Sequence, residues 1–352
     1  MGNWERNVRR VVPYVPGEQP VRTDIIKLNT NENPYPPSPK VREAMERMDF
    51  DRLRRYPAVD TEPLRSAIAD RYGLNPGQVF VGVGSDDVLA MCFMTFFQSD
   101  RPILFPDITY SFYDVWAELF RIPYRQIPLD DNYEIRTEDY RTENGGIVFP
   151  NPNAPTGRLL PVRTAEEIIR NSPDSVVIVD EAYIDFGGES VLPLLEKYDN
   201  LLIVQTFSKS RSLAGMRIGY AFGSEKMIRY LEDVKYSFNS YTMNMAALQL
   251  GTAAVSDEAY FRQTVERIIA TRERTAERLR NLGYIVPESA ANFLFVSHPE
   301  LDIGKLFEDL KEAGIYVRYW KKPRLDNHLR ITVGTDGEMD RLAEFLQNYR
   351  QN

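Results

Sequence analysis

The chain is poor in the residues that carry most hydrolytic and metal chemistry. Its 352 residues include one cysteine and two histidines. Cys92 alone excludes an intrachain disulfide and any cysteine-cluster zinc site. It lies in the apolar run Val88-Leu89-Ala90-Met91-Cys92-Phe93-Met94-Thr95-Phe96-Phe97, where a buried structural thiol is expected. With only His298 and His328, histidine triads and multi-histidine metal sites lack ligands, so no metal is expected. The apolar run is broken by a threonine and is too short to cross a bilayer. Arg6, Arg9 and Arg10 are followed by Val11-Val12-Pro13-Tyr14, which breaks off before a signal-peptide apolar region develops. A cytoplasmic location is therefore expected. Positive charge is also short, with 43 basic against 51 acidic residues and a net charge of −8. No nucleic-acid or membrane partner is expected, and any anion site must be built locally from arginines and backbone amides.

Hydrophobic residues at 43% and charged residues at 27% are ordinary for a globular enzyme. The length suits one large and one smaller domain. Pro13, Pro16, Gly17 and Pro20 make the first thirty or so residues irregular, an arm lying across something else. A helix follows near 39–48. Apolar runs at 79–83, 102–105, 146–150, 176–180, 201–206 and 218–222 then alternate with helical patterns. Strands separated by helices predict an α/β fold with a mainly parallel sheet between helices. Beyond Tyr241 the pattern changes to a long helix over 257–282 ending at Gly283, strands at 292–296, 315–318 and 329–333, and helices over 303–313 and from about 337. The expected division is 1–30 as an arm with part of a small domain, 31–240 as a large cofactor domain and 241–352 as a small α+β domain.

The most informative segment is Thr206-Phe207-Ser208-Lys209-Ser210-Arg211-Ser212-Leu213-Ala214-Gly215-Met216-Arg217-Ile218-Gly219. A lysine held from water beside other cations has a lowered pKa and can attack a carbonyl. Thr206, Ser208 and Arg217 are residue types that hold a phosphate. A nucleophilic lysine beside a phosphate cradle is what a pyridoxal phosphate enzyme requires, although a solvated basic loop has the same composition.

Three further motifs fall at strand ends. Val83-Gly84-Ser85-Asp86-Asp87 opens a helix, where the amides of Ser85 and Asp86 suit a phosphate, or the side chains cap the helix. Asn151-Pro152-Asn153-Ala154-Pro155-Thr156-Gly157 holds amide side chains where they could bond a ring oxygen, or forms turns. Val176-Val177-Ile178-Val179-Asp180-Glu181-Ala182-Tyr183 places a carboxylate at the end of an apolar strand. Asp180 could pair with a protonated pyridine nitrogen, with Tyr183 reaching the oxygen of the same ring. Glu181 should point to the opposite side. Tyr110, after another strand, could stack on the ring.

Together these motifs resemble the fold-type-I pyridoxal phosphate aminotransferases and, within them, the histidinol-phosphate aminotransferase family. Leu28-Asn29-Thr30-Asn31-Glu32-Asn33-Pro34-Tyr35, Arg55-Tyr56-Pro57, Asp180-Glu181-Ala182-Tyr183 and Leu329-Arg330-Ile331-Thr332-Val333-Gly334 all fit that family. The resemblance runs from Tyr14 to Gly334 and implies a seven-stranded, mainly parallel sheet in the large domain. By resemblance, Lys209 is the Schiff-base lysine, Asp180 meets the pyridine nitrogen, Tyr183 serves the ring oxygen, and Tyr110 stacks. Ser85, Asp86, Thr206, Ser208 and Arg217 hold the cofactor phosphate, joined by Tyr56 from a second subunit, which implies a homodimer with shared active sites. Arg330 and Arg318 are assigned to the substrate's anionic group, with Tyr14, Asn33 and Asn239 lining the pocket.

The implied reaction moves an amino group between L-histidinol phosphate and 2-oxoglutarate, giving imidazole-acetol phosphate and L-glutamate. Aromatic amino acid transamination and threonine-phosphate decarboxylation share the fold and stand as alternatives, and a regulatory module without turnover is a further one. One departure stands out: relatives usually carry asparagine at the position of Ala154, so Asn153, Asn151 or Tyr183 alone must serve the ring oxygen. The segment Tyr319-Trp320-Lys321-Lys322-Pro323 is also bulkier than the family pattern.

Overall fold

A computed structural model describes residues 3–20 and 24–349. Positions 1–2 and 21–23 of the expected arm and the last three residues lie outside the described residues. In chain order the strands are β1 (Ile26–Lys27), β2 (Val79–Gly82), β3 (Ile103–Pro106), β4 (Tyr124–Ile127), β5 (Gly146–Pro150), β6 (Val177–Asp180), β7 (Leu201–Thr206) and β8 (Gly219–Phe222). They continue with β9 (Phe293–Val296), β10 (Ile315–Tyr316), β11 (Arg318–Tyr319) and β12 (Leu329–Thr332). The α-helices are α1 (Pro39–Glu46), α2 (Leu64–Tyr72), α3 (Ser85–Phe96), α4 (Tyr113–Phe120), α5 (Val162–Arg170), α6 (Glu225–Phe238), α7 (Met245–Val255), α8 (Glu258–Asn281), α9 (Ile303–Glu312) and α10 (Asp336–Tyr349). None of the described helices is long and apolar enough to cross a membrane.

Seven strands form one sheet in the order β2-β8-β7-β6-β5-β3-β4. Every pairing is parallel except those of β8, which runs against both neighbours. Strand side chains alternate between faces. Accordingly Val177, Val179, Leu201 and Ile203 enter one core, while Ile178, Leu202 and Val204 enter the core on the other face. With both faces covered, these strands read as continuous apolar runs. Residues Ala247, Leu248 and Ala254 of α7 share the first core with the sheet. The edge strand β4 carries exposed Arg125 and Gln126 and was not among the expected runs.

A third core joins α8, α9 and α10 to the sheet β11-β12-β9 and to the pair β1-β10, and it includes Ile26 and Leu28. The expected strand at 315–318 is two short strands: β10 pairs with β1 and β11 with β12, with buried Val317 between them.

This topology fixes where the motifs gather. The turns after β2, β3, β5, β6 and β7 lie beyond the carboxyl ends of parallel strands, the usual ligand edge of such sheets. Because β8 runs the other way, Arg217 just before it reaches the same edge. Gly219 lets β8 meet the start of α3, since a Cβ there would stand 2.3 Å from the Ser85 amide nitrogen.

Candidate active site

At this edge a cavity of about 180 Å³ is lined by residues that include Ser85, Asp86, Tyr110, Ala154, Asp180, Tyr183, Ser208, Lys209 and Arg217. The turn after β7 carries Lys209, whose Nζ donates to the Thr30 carbonyl at 3.2 Å and stands 5.6 Å from the Tyr183 ring centre. At the end of β6, Asp180 is 4% exposed. Burial pushes its carboxyl up to about 6, opposed by hydrogen bonds from the Tyr113 hydroxyl and the Ala182 amide and by the charge of Lys209. Glu181 does point away: it accepts from Ser190, the Val191 amide and Gln205.

The phosphate-type groups form one corner. Gly84, at φ +86°, turns the chain into α3, whose first residues Ser85 and Asp86 line the cavity. Arg217 donates to the Asp86 carboxylate at 3.1 Å, and the Tyr110 hydroxyl donates to the other Asp86 oxygen at 2.7 Å. Asp86 thus places its carboxylate between Tyr110 and Arg217. Thr206 is absent from the cavity lining and stands behind it, donating to the Ser208 hydroxyl at 3.0 Å.

A larger chamber of about 510 Å³ shares Thr30, Tyr110, Ala154, Tyr183 and Lys209 with the first and adds Tyr14, Arg318 and Arg330. Arg318 and Arg330 face each other across the β11–β12 pair, and both guanidinium groups lie 5.2 Å from the Trp320 ring centre. Arg330 donates to the Asn29 carbonyl at 2.8 Å, while its Nε is buried without a partner. Arg318 donates to the carbonyls of Val15 and Pro16 in the arm. Tyr14 stacks on Phe112 with ring centres 4.1 Å apart, and burial raises its hydroxyl pKa.

Besides Thr206, five residues considered for the site stand outside both linings. Asn153 donates its amide to the Ile108 carbonyl and to Thr156, leaving a buried, unpartnered acceptor oxygen. Asn151 is closed in a two-way pair with the backbone of Leu160. Asn153 therefore has no amide hydrogen free for the cavity and Asn151 is turned to Leu160, while Ala154 lies in the lining instead. Asn33 donates to the carbonyls of Lys209 and Ser210, bracing the lysine turn from outside. Exposed Asn239 ends α6, and Tyr56, 78% exposed, stacks on Tyr241.

Comparison with known proteins decides the family. Residues 23–346 match the family described as Aminotransferase class I and II. The chain is 53% identical over 350 residues to the histidinol-phosphate aminotransferase of Lactococcus lactis subsp. cremoris (strain SK11), covering 99% of this chain and 98% of that one. The chain belongs to the class I and II aminotransferases, among the histidinol-phosphate aminotransferases. The Sinorhizobium meliloti histidinol-phosphate aminotransferase, solved in complex with pyridoxal-5'-phosphate, shares the fold at TM-score 0.84 and 23% identity, over 92% of this chain and 90% of that one. The L-threonine-O-3-phosphate decarboxylase of Porphyromonas gingivalis shares it too, at TM-score 0.79 and 19% identity, over 93% of this chain and all (100%) of that one. Fold alone thus does not separate amino transfer from decarboxylation.

For an aminotransferase, two groups in this site were missed by sequence reasoning. Tyr113 donates to Asp180 Oδ2 at 2.9 Å, and Asn31 donates to the Tyr183 hydroxyl at 2.9 Å. A tyrosine opening a helix carries no local signal of such a role; Asn31 at least lay in a quoted motif. The donor set fits pyridoxal phosphate by its chemistry. Hydroxyls, a guanidinium and helix amides suit the phosphate, a buried carboxylate suits a cationic ring nitrogen, and an amine suits the aldehyde.

Proposed function

We propose that this aminotransferase uses pyridoxal phosphate to move the amino group of L-histidinol phosphate to 2-oxoglutarate, giving imidazole-acetol phosphate and L-glutamate. The observation that carries the reading is Lys209 and Asp180 in one cavity that opens toward Arg330, whose buried Nε has no partner. The substrate follows from 53% identity over nearly the full length to a histidinol-phosphate aminotransferase. When bound, the cofactor supplies an aldehyde for amino groups and a ring that accepts the electron pair of the Cα–H bond.

Each side chain has a stated task. Lys209 would hold the aldehyde and, as a free amine, would accept the Cα proton as general base. Asp180 holds a proton on the ring nitrogen, and Tyr183 donates to the ring oxygen. Ser85, Asp86, Ser208 and Arg217 hold the phosphate through the amides of α3, a hydroxyl and the guanidinium, with Thr206 orienting Ser208 from behind. Tyr110 stacks on the ring and is held at its hydroxyl by Asp86. Arg330 and Arg318 take the carboxylate of glutamate or the phosphate of histidinol phosphate, and Tyr14 closes over them.

The reading includes a cytoplasmic homodimer whose subunits share active sites. Its support is the exposed, stacked pair of Tyr56 at 78% and Tyr241 at 45%, with Phe238 at 69% next in sequence to Asn239. Such exposed rings suit burial against a second copy that receives Tyr56 at its phosphate corner.

The test is steady-state glutamate formation by the cofactor-loaded protein from 2-oxoglutarate, with L-histidinol phosphate or L-phenylalanine as donor. Preference for histidinol phosphate by a hundredfold or more in kcat/KM is expected. Turnover of phenylalanine alone would keep the chemistry and overturn the substrate.

A further inference from the structure

Residues 29–33 form a strap that touches three groups around the cavities. The Asn29 carbonyl accepts from Arg330, the Thr30 carbonyl from Lys209 Nζ, and Asn33 braces the carbonyls of Lys209 and Ser210. Asn31 is the member whose side chain ends on a cavity hydroxyl, that of Tyr183 at 2.9 Å.

Asn31 is fixed for this contact. It is 1% exposed and has φ +55°, a left-handed conformation that asparagine tolerates better than most residues. Its amide nitrogen donates to Thr332 Oγ1 at 2.9 Å, and that hydroxyl donates back to Asn31 Oδ1 at 3.1 Å. Its carbonyl accepts from Asn292 Nδ2 at 3.0 Å. With Oδ1 committed to Thr332, Nδ2 is left for Tyr183.

The consequence concerns the Tyr183 proton. A hydroxyl that accepts from Asn31 keeps its own hydrogen for another acceptor. Around the smaller cavity, Ala154 carries no donor and the Tyr110 hydroxyl is committed to Asp86. The amides of Asn151 and Asn153 are turned elsewhere.

We propose that Asn31 is a positioning residue for amino transfer: its side-chain amide fixes the Tyr183 hydroxyl so that this hydroxyl presents its proton to the ring oxygen of pyridoxal phosphate. The proposal rests on the assignment of the smaller cavity to that cofactor. A strap that merely ties the chain to Thr332 and Asn292 has the same anchors but no dependence on Tyr183.

Two variants separate these roles. Asn31→Asp keeps the shape and the Thr332 contact but turns the donor into an acceptor, so that Tyr183 donates to the introduced carboxylate in place of the cavity. Asn31→Gly suits the positive φ and removes the side chain without introducing a buried charge. The primary readout is the dissociation constant of pyridoxal phosphate from the apoprotein, followed by intrinsic fluorescence. Each variant is expected to weaken cofactor binding about tenfold and to lower kcat about tenfold, with KM for histidinol phosphate unchanged within about twofold. In a Tyr183→Phe background neither variant should weaken binding further. An unchanged dissociation constant in both variants, or an undiminished loss in the Tyr183→Phe background, overturns the proposal. Failure of the wild-type apoprotein to bind pyridoxal phosphate at all would overturn the proposed function, and this inference with it.

Discussion

Tyr113 and Asp180 form a buried donor–acceptor pair, with the hydroxyl 2.9 Å from Oδ2 and the residues 0% and 4% exposed. The other carboxylate oxygen takes the Ala182 amide at 3.2 Å. Between them these two bonds orient a carboxylate that burial would otherwise favour protonated. Tyr113→Phe keeps the ring contacts with Phe93, Phe105 and Tyr110 and removes only the hydroxyl. A hydrogen bond to a charged group is worth roughly 1.5–3 kcal/mol. The variant should therefore bind pyridoxal phosphate at least about tenfold more weakly in an apoprotein titration, with KM for histidinol phosphate little changed.

Lys209→Ala should abolish turnover, lowering kcat by about four orders of magnitude or more, because no other amine lines the smaller cavity among the described residues. The cofactor should still be retained through Ser85, Ser208 and Arg217. Steady-state assays and the cofactor absorbance of the gel-filtered protein measure the two halves separately. Normal rates would refute the lysine assignment.

Arg330→Lys and Arg318→Ala should differ. Lysine cannot reproduce the planar fork, so Arg330→Lys should raise KM for glutamate and for histidinol phosphate by about ten- to a hundredfold. Arg318→Ala should raise KM for histidinol phosphate and also release the arm, whose Val15 and Pro16 carbonyls it holds. Limited proteolysis should then cut the first twenty or so residues faster than in wild type. An unaltered cleavage rate would separate Arg318 from the arm.

Two buried carboxyls give the apoprotein a defined pH dependence. Burial raises Asp180 from 3.8 to about 6 and Glu181 from 4.5 to about 7. The folded state therefore holds these protons more tightly than the unfolded chain. Their contribution to stability is full below about pH 4 and is lost as pH rises through 6 and then 7. The apoprotein Tm should fall between pH 5 and 8, and Asp180→Asn should flatten the lower part of that fall. An identical slope in the variant would contradict the sign assigned to Asp180.

Much of the fold was legible because both faces of the sheet are covered. The strands of the sheet centre are apolar at nearly every position, so β5, β6 and β7 stand out without alternation. The edge strand β4 escaped for the converse reason: Arg125 and Gln126 face solvent, and its pairing with β3 alone defines it. The division of 315–318 was equally hidden, since it depends on partners at Ile26 and Arg330 rather than on local sequence.

By itself the sequence determined the chemistry on offer: the lysine turn, the carboxylate at the end of an apolar strand, the glycine that opens α3, and the arginines near the C-terminal end. These are local patterns, because a strand end followed by Gly, Ser or Asp dictates its own turn. Only the tertiary structure decided which donors face the cavity. Asn153 turns its amide to Ile108, while Asn31 and Tyr113 reach Tyr183 and Asp180 from 152 and 67 positions away. A side-chain hydrogen bond is set by packing across elements, and one chain of residue types leaves those distances open until the sheet brings the turns together.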